Sequence, residues 1–322
     1  MNKKLILALL PFMLLTGCGQ KEEPQPEGPV DNGKIDYVFL AQPAVAAVMS
    51  QKSNVQMYEN VQNAYKEKSN NLEITQASIF VRNDADNTKI NAFLAMIKNE
   101  VSTLMDDPQT VLPAATQGLE EQVINGKIGG KVQLISNLLK NGNSIGLGYK
   151  EAYGNKAAID AFIGTIGLPE SNESIYFQTS NAIPAASSLD LKVAVPSGAP
   201  AIAFYNHFKE TNLEVGGADT IVAYLSNSSD KDVVVVPTNA GISSINQGVN
   251  YKIAATITFG NFFLLSTGND DDGILNKGDK VVAFQEKGVP GKIFKYLYGD
   301  KELDVEFLAD AAAVKDKVLT EK

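Results

Sequence analysis

From residue 35 onward, short strand-like apolar runs alternate with helical patterns, and this alternation confines the chain to α/β architectures. Asp36-Tyr37-Val38-Phe39-Leu40-Ala41 reads as a buried strand stopping at Gln42-Pro43, with a short apolar helix over 44–52. Strand-like pieces follow at 55–59 and 76–81. Ile90, Phe93, Leu94, Ile97, Val101 and Leu104 then recur at the spacing of an amphipathic helix, which Asp106-Asp107-Pro108 halts. Further helical patterns lie around 111–123, 131–140 and 155–166, and 168–189 reads as a connection carrying Pro169 and Pro184. The alternation resumes with a strand over 191–196 and a helix from Ser197-Gly198-Ala199-Pro200 to Phe208. Residues 221–225, 233–236, 252–258, 262–266, 281–284 and 305–308 read as strands. Helices are expected over 239–247, 292–297 and 309–319. The pattern implies largely parallel sheets.

A single cysteine, Cys18, ends the run Leu15-Thr16-Gly17-Cys18. Upstream lie Lys3, Lys4 and an apolar stretch interrupted only by Pro11, too short to span a membrane and composed like a secretory signal. Leu-Thr-Gly-Cys resembles the lipobox of bacterial lipoproteins, in which the cysteine thiol is lipidated. The expectation is a signal peptide over 1–17 and a lipidated tether over 18–34, attached through Cys18 to the extracytoplasmic face of the cell membrane. The polar, acidic, Pro- and Gly-rich composition of the tether suits that role.

One cysteine permits no disulfide framework and no Cys-based metal site, and one histidine, His207, permits no His-clustered zinc. The net charge of −9 becomes more negative when Lys3 and Lys4 are removed, which argues against nucleic acid as a partner. Hydrophobic residues make up 44%, as in a well-packed globular protein, and the chain beyond the tether suffices for two lobes. No cofactor and no metal are expected.

Three loops at strand ends share one chemistry. Ser197-Gly198-Ala199-Pro200 follows a strand and opens a helix, where small residues let backbone N–H groups approach a polar oxygen. Pro237-Thr238-Asn239 does the same with a hydroxyl and an amide, and Thr258-Phe259-Gly260-Asn261 adds a second amide beside a ring. Taken singly, each also reads as a cap or turn. Together, at the carboxyl ends of strands in an open α/β sheet, they point to a small-molecule site.

Residues 191–266 resemble the opening of ABC-transporter solute-binding proteins related to thiamine-precursor, nitrate and alkylsulfonate receptors. The likeness rests on Val195-Pro196-Ser197-Gly198-Ala199-Pro200-Ala201, Val236-Pro237-Thr238-Asn239, Asn246-Gln247-Gly248-Val249-Asn250-Tyr251-Lys252 and Thr258-Phe259-Gly260-Asn261. Residues 281–319 resemble the first half of that family's second lobe, with Gly288-Val289-Pro290 at a ligand loop. Residues 34–177 resemble the remainder, with Gln42 where the family has Glu before Pro43. The resemblance implies a two-lobed, periplasmic-binding-protein-like (Venus flytrap) α/β fold in circularly permuted order, since the part resembling 191–319 normally comes first. The C-terminus is therefore expected to return to residue 34.

On that resemblance, one lobe is continuous over 79–267 and the other is split, 35–78 plus 279–322. Hinges are expected near 75–78 and 267–277. Ligand contacts are expected from Ser197, Gly198, Ala199, Thr238, Asn239 and Asn261 on one side and Gln42, Gly288 and Val289 on the other. The implied function is a monomeric, lipid-anchored receptor that delivers a small polar or anionic solute to an ABC permease and its ATPase. The alternative is a surface sensing or adhesion lipoprotein on the same fold. An enzyme is not expected: relatives of the fold that make pyrimidines use a Cys-rich motif, and Gly-x-Ser-x-Gly is missing.

The remaining candidates read as structural. Asn269-Asp270-Asp271-Asp272-Gly273 lacks the spacing of an EF-hand and reads as an exposed turn, and Gly288-Val289-Pro290-Gly291-Lys292 lacks Walker spacing. His207, Arg82 (the only arginine), Tyr58 and Tyr65 are expected in packing or ion pairs rather than at a ligand.

Overall fold

The computed structural model describes residues 34–169, 172–180, 182–270 and 272–321. The expected signal peptide, Cys18, and the tether apart from Lys34 lie outside the described residues. In the first part of the chain, β1 (Tyr37–Ala41), α1 (Ala44–Gln51), β2 (Gln56–Asn60), α2 (Val61–Lys68) and β3 (Thr75–Arg82) are followed by four helices. These are α3 (Asn87–Asp106), α4 (Pro108–Thr116), α5 (Glu121–Ile128) and α6 (Val132–Lys140); β4 (Leu147–Glu151) and α7 (Lys156–Thr165) come next. The second part holds β5 (Val193–Pro196), α8 (Ala199–Ile202), β6 (Leu213–Gly216), α9 (Ala218–Ala223), β7 (Val233–Pro237), α10 (Thr238–Asn246) and β8 (Tyr251–Phe259). Then come β9 (Phe262–Ser266), β10 (Lys280–Phe284), α11 (Val289–Tyr298), β11 (Asp304–Leu308) and α12 (Ala311–Thr320). No described helix is long and apolar enough to cross a membrane.

The structure is mixed α/β with two open sheets. Their strand orders are β11-β10-β1-β9-β2 and β4-β8-β3-β7-β5-β6. In the first, β11, β10 and β1 are parallel and β9 runs against both β1 and β2. In the second, β6, β5 and β7 are parallel and β3 runs against both β7 and β8, with β4 added antiparallel at the edge. The two sheets therefore share a plan of three parallel strands, one reversed strand and one more beyond it. Each reversed strand continues directly from the last common strand of the other sheet, β2 through α2 into β3 and β8 through Gly260-Asn261 into β9.

That pairing corrects the expected lobe boundary. Residues 262–266 pair with β1 and β2, so they belong to the first sheet and not to a segment ending at 267. The second crossing is Gly260-Asn261, not 267–277, and the first lies just before Thr75, where β3 already begins. Residues 221–225, expected as a strand, form the end of α9 and the turn after it, with Ile221 and Leu225 one helical turn apart and both buried. The helix expected from Ser197 to Phe208 is only the short α8 and a following 3-10 turn. The helical pattern at 111–123 splits between α4 and α5, with Pro108 opening α4 where its missing N–H costs nothing.

Core packing follows the two-residue period of the strands. Ile79, Val81, Val193, Val195, Val233 and Val235 face α3–α6 on one side of the second sheet, while Phe80, Ala194, Val234 and Val236 face the core shared with the first sheet. Burial on both faces explains the unbroken Val233-Val234-Val235-Val236 run. The chain's end returns to its described beginning: Ile35 N donates to Glu321 Oε1 at 2.8 Å and Lys52 Nζ to the Glu321 carbonyl at 2.6 Å. Away from the strand ends, Lys292 Nζ on α11 donates to the Ile166 carbonyl at 2.7 Å and Tyr65 Oη lies 3.1 Å from Thr165 Oγ1, so α7 is tied to α11 and α2.

His207 is packed, not superficial. It is 4% exposed, with Nε2 2.9 Å from Glu100 Oε2 and Nδ1 2.7 Å from Glu210 Oε1. Burial works against a charged ring, but hydrogen bonds to the two carboxylates outweigh it and raise the imidazole above its ordinary value near 6.5. A raised folded value means the stability contributed is complete below the unfolded value and is lost as pH rises through the folded one. Thermal unfolding should therefore show the melting temperature falling as pH rises from 6 through that value. His207→Gln should cost on the order of 3 kcal/mol at pH 6 and flatten the profile; an unchanged slope would show that His207 is not the titrating group.

Candidate ligand-binding cleft

Four strand-to-helix junctions meet at one cleft of about 630 Å³. β1 ends at Ala41-Gln42 before α1, β5 at Pro196-Ser197-Gly198 before α8, β7 at Pro237 before α10, and β10 at Phe284, with Gln285 to Gly288 leading into α11. A parallel strand followed by a helix places the loop at the strand's carboxyl end, so junctions from both sheets face the same space. Ser197, Gly198, Ala199, Asn239, Asn261, Gln42, Gly288 and Val289 all line it. Thr238 does not. It is fully buried, its Oγ1 2.8 Å from Ser78 Oγ, which in turn lies 3.0 Å from Thr256 Oγ1. That hydroxyl chain pins the start of α10 to β3 and β8, and so sets where Asn239 stands. Gly241 completes the seating, since a Cβ there would fall 2.0 Å from the Phe80 ring.

The backbone donors expected from the Ser197 loop are mostly committed elsewhere. Ser197 N donates to the Gly216 carbonyl and Gly198 N to the Lys127 carbonyl, both at 2.8 Å. Gly198 adopts a left-handed φ of 96°, which explains glycine at this position. Donors available to a ligand come instead from the first turn of α10, where no side chain caps the N-terminus, and from Val289 N of α11, since Pro290 has no N–H and Gly291 N donates to the Gln285 carbonyl at 3.3 Å. Gln42 is partly committed as well: its Oε1 accepts from Ala46 N at 3.2 Å, capping the first turn of α1.

Asn261 holds the cleft together at the second crossing. Its φ of 63° is left-handed, its Oδ1 accepts from Gln42 N at 2.9 Å, and its Nδ2 donates to the Gln42 carbonyl at 3.4 Å. Beside it, Gly260 N donates to the Ile74 carbonyl at 3.0 Å, and Ile74 N donates to Gln62 Oε1 at 3.2 Å. Gly260 has φ 67°, and a Cβ there would meet Gln62 Oε1 at 2.7 Å. The two crossings are thus hydrogen-bonded side by side at the base of the cleft.

Sequence reasoning missed Gln76 and took Thr258 only as the start of the Thr258–Asn261 loop, not as a ligand contact. β3 pairs Thr75 with Phe259 and Ala77 with Thr258, which leaves Gln76 as the extra residue of a bulge, turned into the cleft. A lone glutamine opening an otherwise apolar strand was the signal available. Gln76, Asn239 and Thr258 line the cleft, and their Oε1, Oδ1 and Oγ1 atoms are buried without a hydrogen-bond partner. Leaving such a group unpaired costs about 1–3 kcal/mol.

The charge pattern is spare. Among the described residues, Asp219, exposed at the start of α9, is the only ionisable side chain in the lining, and no Lys, Arg or His contributes. Helix N-termini supply about 0.3–1 kcal/mol each toward negative charge. Desolvating a full charge costs several kcal/mol, so these dipoles match a carbonyl oxygen or a single charge better than a dianion. Phe262, Phe284, Val222 and Val289 provide apolar wall.

The other candidates lie elsewhere. Arg82 pairs with Asp84 through two 3.0 Å hydrogen bonds and also donates to the Ser229 carbonyl. Tyr58 packs edge-on against Tyr37, with ring centroids 4.9 Å apart, and its hydroxyl accepts from Leu275 N. Asp270 takes the Tyr37 hydroxyl and Asp272 accepts from Ile274 N and Asn276 Nδ2. Asp271 lies outside the described residues, and among the described ones no cluster of three or more His, Cys, Asp or Glu could hold a metal ion. No family model matches the chain, and no curated protein or solved structure proves similar to it.

Thr258→Val removes an unpaired buried hydroxyl without changing shape. It should stabilise the empty protein by about 1 kcal/mol, a rise of roughly 2 °C in melting temperature. A loss of stability would mean that the hydroxyl already has a partner.

Proposed function

We propose that this chain is an extracytoplasmic, lipid-anchored solute-binding protein, which captures a small polar or anionic solute in the cleft and delivers it to an ABC permease and ATPase. The observation that carries this reading is the convergence, on one cleft between two sheets, of uncapped helix N-termini and three buried polar side-chain atoms without partners. Buried polar groups are normally satisfied by protein or water, so a set of them facing one cavity marks a place for a ligand. A single titratable group in the lining favours binding over acid–base chemistry.

The matching plan of the two sheets supports a two-lobed, periplasmic-binding-protein-like fold. With β9 assigned by its pairing, one lobe is continuous from Thr75 to Phe259, and the other joins 35–68 to 262–321. The adjacency of Ile35 and Glu321 supports a circularly permuted order, because termini that meet at a surface can be relocated without disturbing packed elements. Two neighbouring crossings form the hinge, and a solute touching Asn239 on one lobe and Gly288 on the other favours the closed arrangement.

A thermal-shift screen against pyrimidines, sulfonates and nitrate tests the reading. Binding to the native state raises the melting temperature by mass action, about 2.7 kcal/mol of stabilisation at a hundredfold excess over Kd. One class should give a clear shift, and Asn239→Ala should abolish it. A cooperatively unfolding chain that no solute stabilises would contradict the proposal.

A further inference from the structure

His207 is the centre of a polar cluster that fastens three separate stretches of chain. Its Nε2 faces Glu100 on α3, and its Nδ1 faces Glu210, three residues further along its own turn. Each carboxylate has a second task. Glu100 Oε1 accepts from Asn206 Nδ2 at 3.1 Å, and Glu210 Oε2 accepts from Leu189 N at 3.2 Å. Asn212 Nδ2 donates to the Leu189 carbonyl at 2.8 Å, so Leu189 is held at both its N–H and its C=O. Leu189 stands near the end of the connection into β5, which is tied to α3 where Ala186 N donates to the Ala92 carbonyl at 2.9 Å. The cluster lies at the amino ends of β5 and β6, whereas the cleft takes the carboxyl ends of the same strands.

An ionised carboxylate only accepts hydrogen bonds. A ring between two of them needs an N–H at both nitrogens, and only the imidazolium has both. When the proton leaves, one nitrogen turns a lone pair toward a carboxylate oxygen, and that contact opens. Exposure decides which one. The Glu100 side chain is 18% exposed and keeps Asn206, while the Glu210 side chain is 36% exposed and can turn into water. Leaving a charge unpaired costs more where it is more buried, so Glu210 is the one to go. Glu100 and Glu210 are the charges that act on the ring. α4, which packs on the turn, carries no charged residue. Lys209 donates to the Gln117 carbonyl, Lys127 lies over the Phe208 ring, and Lys98 on α3 pairs with Glu151. Asp190 accepts from Ser188 Oγ.

We propose that His207 is a proton-operated clasp: on losing its proton the ring releases Glu210, Glu210 releases Leu189 N, and the end of the connection loosens from α3. The proton passes to water, and an N–H left without its acceptor favours local opening. This is a local event, separate from the shift in global stability, and it does not depend on what the cleft binds.

The test follows the ring and the Leu189 amide together by NMR on the full chain, purified without a histidine tag. With one histidine in the sequence, the imidazole signals belong to His207 alone. Amide exchange, corrected for its intrinsic pH dependence, is measured at Leu189 and at Gly260 between about pH 6 and pH 9. Leu189 protection should fall about tenfold with the midpoint of the ring's titration, while Gly260 keeps its protection. In Glu210→Gln the carboxamide can give an N–H to the neutral ring's Nδ1 and keep its oxygen for Leu189 N. At about pH 9, Leu189 should therefore be roughly tenfold better protected in Glu210→Gln than in the parent. Leu189 protection that ignores the ring's titration overturns the clasp, as does a ring that keeps its proton throughout the range. A fall that Gly260 shares, or that Glu210→Gln does not reverse, belongs to wider unfolding and overturns the release of Glu210.

Discussion

The hydrogen bond from Gly260 N–H to the Ile74 carbonyl joins, at the base of the cleft, the two places where the described chain passes between its sheets. Everything at the cleft depends on it. The carboxyl ends of β1 and β10 come from one sheet and those of β5 and β7 from the other, so the loops after them meet only because the crossings hold the two sheets together. Asn261 extends the same joint by bracketing the Gln42 backbone with both ends of its carboxamide. Two consecutive left-handed residues at 260–261 turn the chain sharply, and Gly260 is the residue whose missing Cβ makes room for Gln62.

Around that joint the cleft is built from fixed dipoles more than from charges. Helix N-termini and carboxamides orient a ligand without the large desolvation cost that a buried ion pair carries. The cost appears instead as three polar atoms left without partners in the empty protein, a local sacrifice of stability at a site kept ready for something else to complete it. Beneath them, the Ser78–Thr238–Thr256 hydroxyl chain is fully satisfied. Gln62 Nε2, Thr75 Oγ1, Asn125 Oδ1, Ser136 Oγ and Asn155 Nδ2 are also buried without partners away from the cleft lining, so what marks the cleft is that three such atoms belong to residues converging on one space.

Much of the architecture was legible in the sequence because it is written locally. β1, β5 and β7 are apolar runs ended by Pro43, Pro196 or Pro237, and eight of the nine residues expected at the site line the cleft because a strand end followed by a helix start fixes where a loop lies. What failed is non-local. Whether Gly260-Asn261 closes a hairpin or carries the chain to another sheet depends on which partner β9 finds, and that information sits in residues 37–41 and 56–60. Thr238 was misplaced because its hydroxyl is taken by Ser78, a residue 160 positions away. The N–H groups of Ser197 and Gly198 were expected to face a ligand, yet the Gly216 and Lys127 carbonyls claim them. Gln76 went unnoticed because a bulge, created by the offset between β3 and β8, points it where strict alternation would not.

The most direct measurement is native mass spectrometry of the chain purified from cells that express it. A cleft with three waiting polar atoms and uncapped helix ends should carry one small solute per chain, seen as a single added mass that Asn239→Ala abolishes. A folded chain that shows only its own mass after exposure to a complete small-molecule extract would contradict the account.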